Sequence, residues 1–376
     1  MNKSFKYIPL HKPFAGEDEI ESVSQAIRDG WLAPGGPYTE RFEKQLTRYT
    51  GARYAIALQS GTAALHLALK AVGIKPGDFV LLPTHTFVAT ANPVLYEKAV
   101  PVLVDTEKDG INLSMDYLAQ AVEHIRSEYR VTPRTLIAVH LYGFSAPVSE
   151  ITAFTKHFGI ILVEDAAESL GTFVNGQHTG TFGTLGILSF NGNKIISTSG
   201  GGAVLTNDAE KAAYIRFLSG QAKEDKPYYY HKEIGYNYRI SNILAALGEA
   251  QVNKIDDFLQ RKRKIHAFYR SVTRDLPVNI YTPVKGQAYN YWLNVLHFTD
   301  PASPTRFIDF MHRNGIEVRH TWYPLHKMPL FEKYLYFGHD ESLEFFKHSV
   351  LLPSGAGLTE NELDYIATRI RKFFKS

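Results

Sequence analysis

An α/β fold with a mostly parallel central sheet is predicted by three features of this 376-residue chain. Between about residues 53 and 210, short apolar runs alternate with helix-like stretches, the rhythm of strands and crossover helices. The runs are continuously apolar rather than alternating, which marks strands buried on both faces by covering helices. Polar residues follow them directly, and in such sheets ligands belong at the carboxyl ends of the strands. The strands fall at residues 54–58, 79–82, 100–104, 135–139, 160–163, 186–189 and 203–206. Asp105, His140 and Asp165 each follow one of them, so three polar groups are expected on one rim of the sheet.

From about residue 252 the pattern changes to a long charged helix, 252–264, followed by a segment that reads as α+β. At about 150 residues per domain the length suggests two domains. They are expected at 1–250, a large α/β domain, and 251–376, a smaller C-terminal one. The basic run 261–264 reads as a solvated helix face.

Composition narrows the function classes. The 41 basic residues exceed the 38 acidic ones by only three, too few for a dedicated nucleic-acid binder, so no nucleic-acid partner is expected. The chain has no cysteine, which excludes disulfides, thiolate metal sites and cysteine nucleophiles; no metal is expected. The first ten residues lack the apolar core of a leader peptide, and no apolar run is long enough to span a bilayer. A cytoplasmic protein without a membrane partner is the expectation.

The chemistry-bearing residues lie at strand ends. The strand 160–163 leads into Glu164-Asp165-Ala166-Ala167-Glu168, and further on Lys194 closes Ser189-Phe190-Asn191-Gly192-Asn193-Lys194, ahead of Gly200-Gly201-Gly202. Asp165 alone reads as a helix cap and Lys194 alone as a surface lysine. As a pair they match the needs of pyridoxal phosphate: an amine to hold the cofactor as a Schiff base, and a carboxylate to keep its pyridine nitrogen protonated. The glycines allow backbone to pass close by, and a shielded lysine amine has a lowered pKa. After the first strand, Ser60-Gly61-Thr62 begins a helix. Ser60 is a good N-cap, and the free amides and dipole of the first turn favour a phosphate, although the same residues also make an ordinary cap. Phe87, just past the second strand, reads either as a core residue or as a ring lying over a planar cofactor.

As a set, Ser60-Gly61-Thr62-Ala63-Ala64-Leu65, Thr86-Phe87-Val88-Ala89-Thr90, Val163-Glu164-Asp165-Ala166-Ala167-Glu168 and Ser189–Lys194 resemble the sugar aminotransferases of the DegT/StrS type, which are fold-type I pyridoxal phosphate enzymes. The similarity extends through Gly235-Tyr236-Asn237-Tyr238-Arg239 to Tyr323-Pro324-Leu325-His326, nearly the whole chain. The resemblance implies that Lys194 carries the cofactor and moves protons, with Asp165 pairing the pyridinium. It implies that Gly61, Thr62 and Ser189, at the turn begun by Ser60, hold the phosphate. Phe87 stacks on the ring and Glu168 lies near the ring hydroxyl. Family members often carry Gln or His at the Glu168 position, and a carboxylate beside a phenolate requires a proton on one of the two. Asn237 is implied to reach the phosphate of a second subunit, so a homodimer with shared active sites is expected. Trp31, Arg239, His320 and Tyr323 are candidate substrate contacts, as is His326.

A retained lysine points to amino transfer, because the similar sugar 3-dehydratases carry histidine there. Glutamate is the expected donor, pyridoxamine phosphate the aminated form of the cofactor, and a nucleotide-linked keto sugar the acceptor. The wording of residues 189–202 is similar to members that act at C4 of nucleotide-linked 4-keto-6-deoxy sugars, especially 2-acetamido UDP-sugars of glycans and capsules. The alternatives are a cofactor-binding regulator or scaffold, and a lyase or decarboxylase on the same fold.

Overall fold

A computed structural model of the chain describes residues 7–282 and 288–375; of the N-terminal stretch read for a leader, residues 1–6 lie outside the described residues. The strands, in chain order, are β1 (Tyr54–Leu58), β2 (Phe79–Pro83), β3 (Val100–Val104), β4 (Thr135–Val139), β5 (Ile161–Asp165), β6 (Phe173–Val174), β7 (Gln177–His178), β8 (Leu185–Ser189), β9 (Gly202–Thr206), β10 (Val278–Ile280), β11 (Asn294–Phe298), β12 (Arg319–His320), β13 (Tyr336–Phe337) and β14 (Ser349–Leu352). All seven strands expected from the apolar runs are present. β5 runs on through Glu164 and Asp165, because neighbours on both sides continue its ladder: Val139 stands opposite Asp165 on β4, and Ile187 on β8.

The large sheet has the order β1-β9-β8-β5-β4-β2-β3-β13. Pairings from β8 through β13 are parallel, while β9 is antiparallel to both β1 and β8. Side chains alternate across the pleat. Val80 and Leu82 of β2, Leu103 of β3, Ile137 of β4 and Val163 of β5 join one apolar core, whereas Leu81, Val102, Leu136 and Leu162 join another on the opposite face. That double burial is why these strands are continuously apolar.

The second sheet, β10-β11-β14-β12, is antiparallel and packs its own core, including Leu296, Phe298, Val350 and Leu352, with the helices Ile255–Thr273, Ser303–Arg313 and Glu360–Phe373. Two segments cross the division expected at 250/251. Ile8 pairs with Ile316 and packs into the core of the second sheet, and β13 returns to add a parallel edge strand to β3.

Three expectations are corrected. The charged stretch 252–264 is not one helix but the junction of Asn242–Val252 and Ile255–Thr273. Within the basic run, Lys262 is buried at 1% exposure, its Nζ donating to the carbonyls of Trp292 (2.9 Å) and Ser354 (2.8 Å). Asp105 and His140 do not form a reactive rim with Asp165. Asp105 accepts from the amides of Thr106, Glu341 and Ser342 and from the Tyr336 hydroxyl, tying β3 to the helix Glu341–His348. His140 accepts from the Ala146 amide at Nδ1, so its Nε2 carries the proton and donates to Glu164 at 3.0 Å. The strand-end position of both is real, but a buried polar side chain must be satisfied, and structural partners satisfy these two.

Candidate active site

The strand ends β2, β4, β5 and β8 converge on a cleft of about 420 Å³, lined among others by Ser60, Gly61, Thr62, Phe87, Asp165, Glu168, Ser189 and Lys194. β1 delivers its turn to the same rim because Leu58 and Ser189 stand opposite one residue of β9, Gly202. A Cβ on Gly202 would lie 2.5 Å from the Ser60 carbonyl carbon, so only glycine lets the β1 turn fold back over it. Ser60 then caps the helix Gly61–Ala71, its Oγ accepting from the Ala63 amide at 3.0 Å. The amides of Gly61 and Thr62 precede the first intrahelical bond, from Ala64 to Ser60, and they face the cleft with the positive end of the helix dipole. A Cβ on Gly61 would fall 2.9 Å from the Ser189 Cβ and 3.1 Å from its Oγ. The missing side chain therefore lets a hydroxyl stand beside the free amides, a donor set that suits a phosphate.

Asp165 ends β5 and is 7% exposed. Its Oδ2 accepts from the Thr90 hydroxyl at 2.7 Å and its Oδ1 from the Ala167 amide at 3.1 Å, which fixes the carboxylate while leaving lone pairs toward the cleft. Thr90 in turn meets the Thr86 hydroxyl at 2.8 Å. Glu168, one turn on, accepts from the Tyr142 amide at 2.7 Å and stands 3.7 Å from Lys194 Nζ. Burial pushes its carboxyl up to about 7, against the opposing pull of the Lys194 ammonium and the Tyr142 amide. Burial likewise pushes the Lys194 amine down, opposed by the Glu168 and Asp165 carboxylates. The residues fit pyridoxal phosphate: an anion cradle at one end, a fixed carboxylate at the other, and a shielded amine between them.

Other predicted site residues lie elsewhere. Trp31, Asn237, Arg239, His320, Tyr323 and His326 are not among the residues lining the cleft. Asn237 is exposed and pairs with Gly220. The Arg239 guanidinium donates to the Arg216 carbonyl. Trp31 packs its ring over Gly36, and His320 and Tyr323 pack against Phe346. His326 bridges Thr84 and Asp340 at 2.8 Å each. Within one chain these six do not meet the Lys194 cluster.

The cleft also holds residues the motifs did not single out. Trp322 stands 5.4 Å from Phe87, ring to ring, with Arg319 on the same wall. Trp292 forms the floor under Lys194, whose Nζ lies 4.0 Å from the ring centroid. Arg319 and Trp322 were readable only as neighbours of His320 and Tyr323 in one segment, and Trp292 carried no local signal.

The DegT/DnrJ/EryC1/StrS aminotransferase family model matches residues 13–371. The chain belongs to this family. It is 43% identical over 362 residues, 95% of this chain and 93% of the relative, to EpsN of Bacillus subtilis (strain 168), provisionally described as a pyridoxal phosphate-dependent aminotransferase. It is 34% identical to the GDP-perosamine synthase of Escherichia coli O157:H7, covering 98% and 99% of the two chains. A DegT DnrJ EryC1 StrS aminotransferase from Brucella abortus superposes with a TM-score of 0.89 at 29% identity over 96% of each chain. The protein is thus a pyridoxal phosphate-dependent sugar aminotransferase with the fold-type I architecture. Among the described residues no helix is long and apolar enough to cross a membrane, and no group of three or more His, Asp or Glu is placed to hold a metal.

Proposed function

We propose that this DegT-family enzyme moves the amino group of glutamate to C4 of a nucleotide-linked 4-keto-6-deoxy sugar, UDP-2-acetamido-4-keto-2,4,6-trideoxyhexose being the first substrate to test, and that the 4-amino sugar serves polysaccharide or glycan synthesis. The observation that carries amino transfer is the free amine of Lys194, shielded in one cleft with the fixed Asp165 carboxylate and the helix N-terminus at Gly61. A relative whose name specifies a GDP-sugar product supports a nucleotide-linked acceptor, and the wording of residues 189–202 supports C4.

When bound, pyridoxal phosphate supplies an aldehyde that exchanges with amines and a ring that draws electrons from the bonds at the substrate's nitrogen-bearing carbon. Lys194 takes up and returns the proton at that carbon, a task its lowered proton affinity suits. Asp165, held by Thr90, accepts the pyridinium N–H. Ser189 and the amides of Gly61 and Thr62 bind the phosphate, the Ser60 hydroxyl being committed to its cap. Phe87 would lie beside the ring, and Glu168, its carboxyl pushed up to about 7 by burial, would share its proton with the ring hydroxyl oxygen. Donor and acceptor would enter past Phe87, Trp322 and Arg319, which line the cleft.

In the same reading the active unit is a cytoplasmic homodimer. Asn237, exposed outside its own cleft, reaches the partner's phosphate, and Trp31, Arg239, His320 and Tyr323 contact substrate in the assembled dimer. The chain divides functionally at 250/251. The test is a product assay: purified enzyme, glutamate and UDP- or GDP-linked 4-keto-6-deoxy sugars, with the product located by NMR. Amination at C4 supports the proposal, and amination at C3 or of a non-sugar ketone sinks it. Dimer dependence is read by mixing inactive Lys194→Ala with inactive Asn237→Asp chains, since shared sites restore about a quarter to a half of the activity and unshared sites restore none.

A further inference from the structure

Lys194 must leave the cofactor whenever a substrate amine takes its place, and the freed amine has to stay within reach of the reacting carbon. We infer that the buried indole face of Trp292 is the resting site of the Lys194 ammonium, making Trp292 a positioning residue for the proton carrier; this rests on the reading of Lys194 given above. Lys194 Nζ lies 4.0 Å from the Trp292 ring centroid, inside the range of a cation over a π face. Its carboxylate neighbour Glu168 is 3.7 Å away, too far for a hydrogen bond.

Trp292 is held by three hydrogen bonds, one on its indole and two on its main chain. Trp292 is 1% exposed. Its Nε1 donates to the carbonyl of Asn193, the residue before Lys194, at 2.6 Å. Its amide donates to Asn290 Oδ1 at 2.8 Å, and its carbonyl accepts from the buried Lys262 ammonium at 2.9 Å. Asn290 also donates through Nδ2 to the Glu168 carbonyl at 2.8 Å, so one turn sets both the aromatic and the acidic neighbours of the amine. That turn is strained. Tyr291 holds φ at +50°, and a Cβ on the facing Gly143 would fall 1.9 Å from Asn290 Oδ1. Residues held in sparsely populated backbone conformations cluster at active sites.

The consequence concerns the amine's protonation. The charged and titratable groups around it are Asp165, Glu168 and Arg319 in the cleft, with His11 and Lys262 behind it. Asp165 and Glu168 favour the ammonium, whereas burial opposes it. A desolvated cation on a tryptophan face gains enough to shift proton affinity about tenfold, or about one pH unit. Trp292 thereby keeps the amine protonated, and in place, at a pH where burial alone would release the proton.

The test reads the amine directly in the full-length protein freed of cofactor. Acetic anhydride labelling of Lys194 is followed by mass spectrometry as a function of pH, and the midpoint, not the plateau, is the readout, since the midpoint is insensitive to access. Trp292→Leu is expected to lower the midpoint by about one pH unit, giving about tenfold more labelling at a fixed lower pH. Trp292→Phe, a smaller ring and the variant to rely on if the leucine chain does not fold, shifts it the same way by less. An unmoved or raised midpoint in a folded variant overturns the inference. Borohydride reduction of the loaded wild-type enzyme separates this from the premise. A cofactor label on a lysine other than Lys194 overturns the reading of Lys194, whereas a label on Lys194 with an unmoved midpoint overturns only the role of Trp292.

Discussion

Replacing Glu168 by glutamine should change how the cofactor-free protein responds to pH, in a direction set by burial. The Glu168 carboxyl is 6% exposed and is pushed from its ordinary 4.5 up to about 7. A group whose folded value lies above its unfolded value binds its proton more tightly in the folded state, so its stability contribution is complete below 4.5 and is lost as pH rises through 7. At ~1.4 kcal/mol per pH unit the gap corresponds to roughly 3 kcal/mol. Glutamine keeps the shape and the acceptor for the Tyr142 amide but cannot ionise, so this loss disappears. Urea unfolding of the two apoproteins from pH 4.5 to 8.5 measures the effect. The difference, variant minus wild type, should grow by roughly 3 kcal/mol across that window. A difference that is flat, or that favours the wild type at the alkaline end, would refute the assignment of a protonated, buried Glu168.

Gly61→Ala forces a methyl to within 2.9 Å of the Ser189 Cβ, so overpacking of about 1–3 kcal/mol should fall on the phosphate cradle and weaken cofactor binding by about 5- to 150-fold in a fluorescence titration. Thr90→Val removes the hydroxyl donated to Asp165, a buried bond to a charged group worth about 1.5–3 kcal/mol; Tm should fall, and kcat measured on the loaded enzyme should fall by about ten- to a hundredfold. Asp105→Ala strips the acceptor from three amides and the Tyr336 hydroxyl, and should cost about 3 kcal/mol or more in thermal unfolding while kcat of the folded fraction stays near wild type. A larger effect on kcat than on stability at Asp105 would restore it to the active rim.

The large sheet was legible because each of its long strands announces itself within five residues, by apolar runs that only double burial explains. β13 was not, since two residues carry no periodicity and Tyr336–Phe337 becomes a strand only when β3 offers its edge. The same limit applied in the cleft. Ser60-Gly61-Thr62, Asp165 and Ser189–Lys194 are local turns at strand ends, so their meeting could be anticipated. Trp292 arrives from a left-handed turn at Tyr291 almost a hundred residues beyond Lys194, and its role is written in the Asn193, Asn290 and Lys262 contacts rather than in its neighbours in sequence. Asp105 and His140 show the converse: a polar residue after a buried strand looks the same in sequence whether it meets a ligand or the amides of a distant helix.

The return of β13 to the edge of the large sheet has a consequence for any attempt to divide the chain. A fragment ending near residue 250 would keep seven of the eight strands yet lose the cover on β3, baring a row of unpaired amides and carbonyls to other molecules. It would also lose Tyr336 and the amides of Glu341 and Ser342, leaving the Asp105 carboxylate without most of its donors. Such a fragment should self-associate along that margin, which makes the final third of the polypeptide a guard for the solubility of the first two.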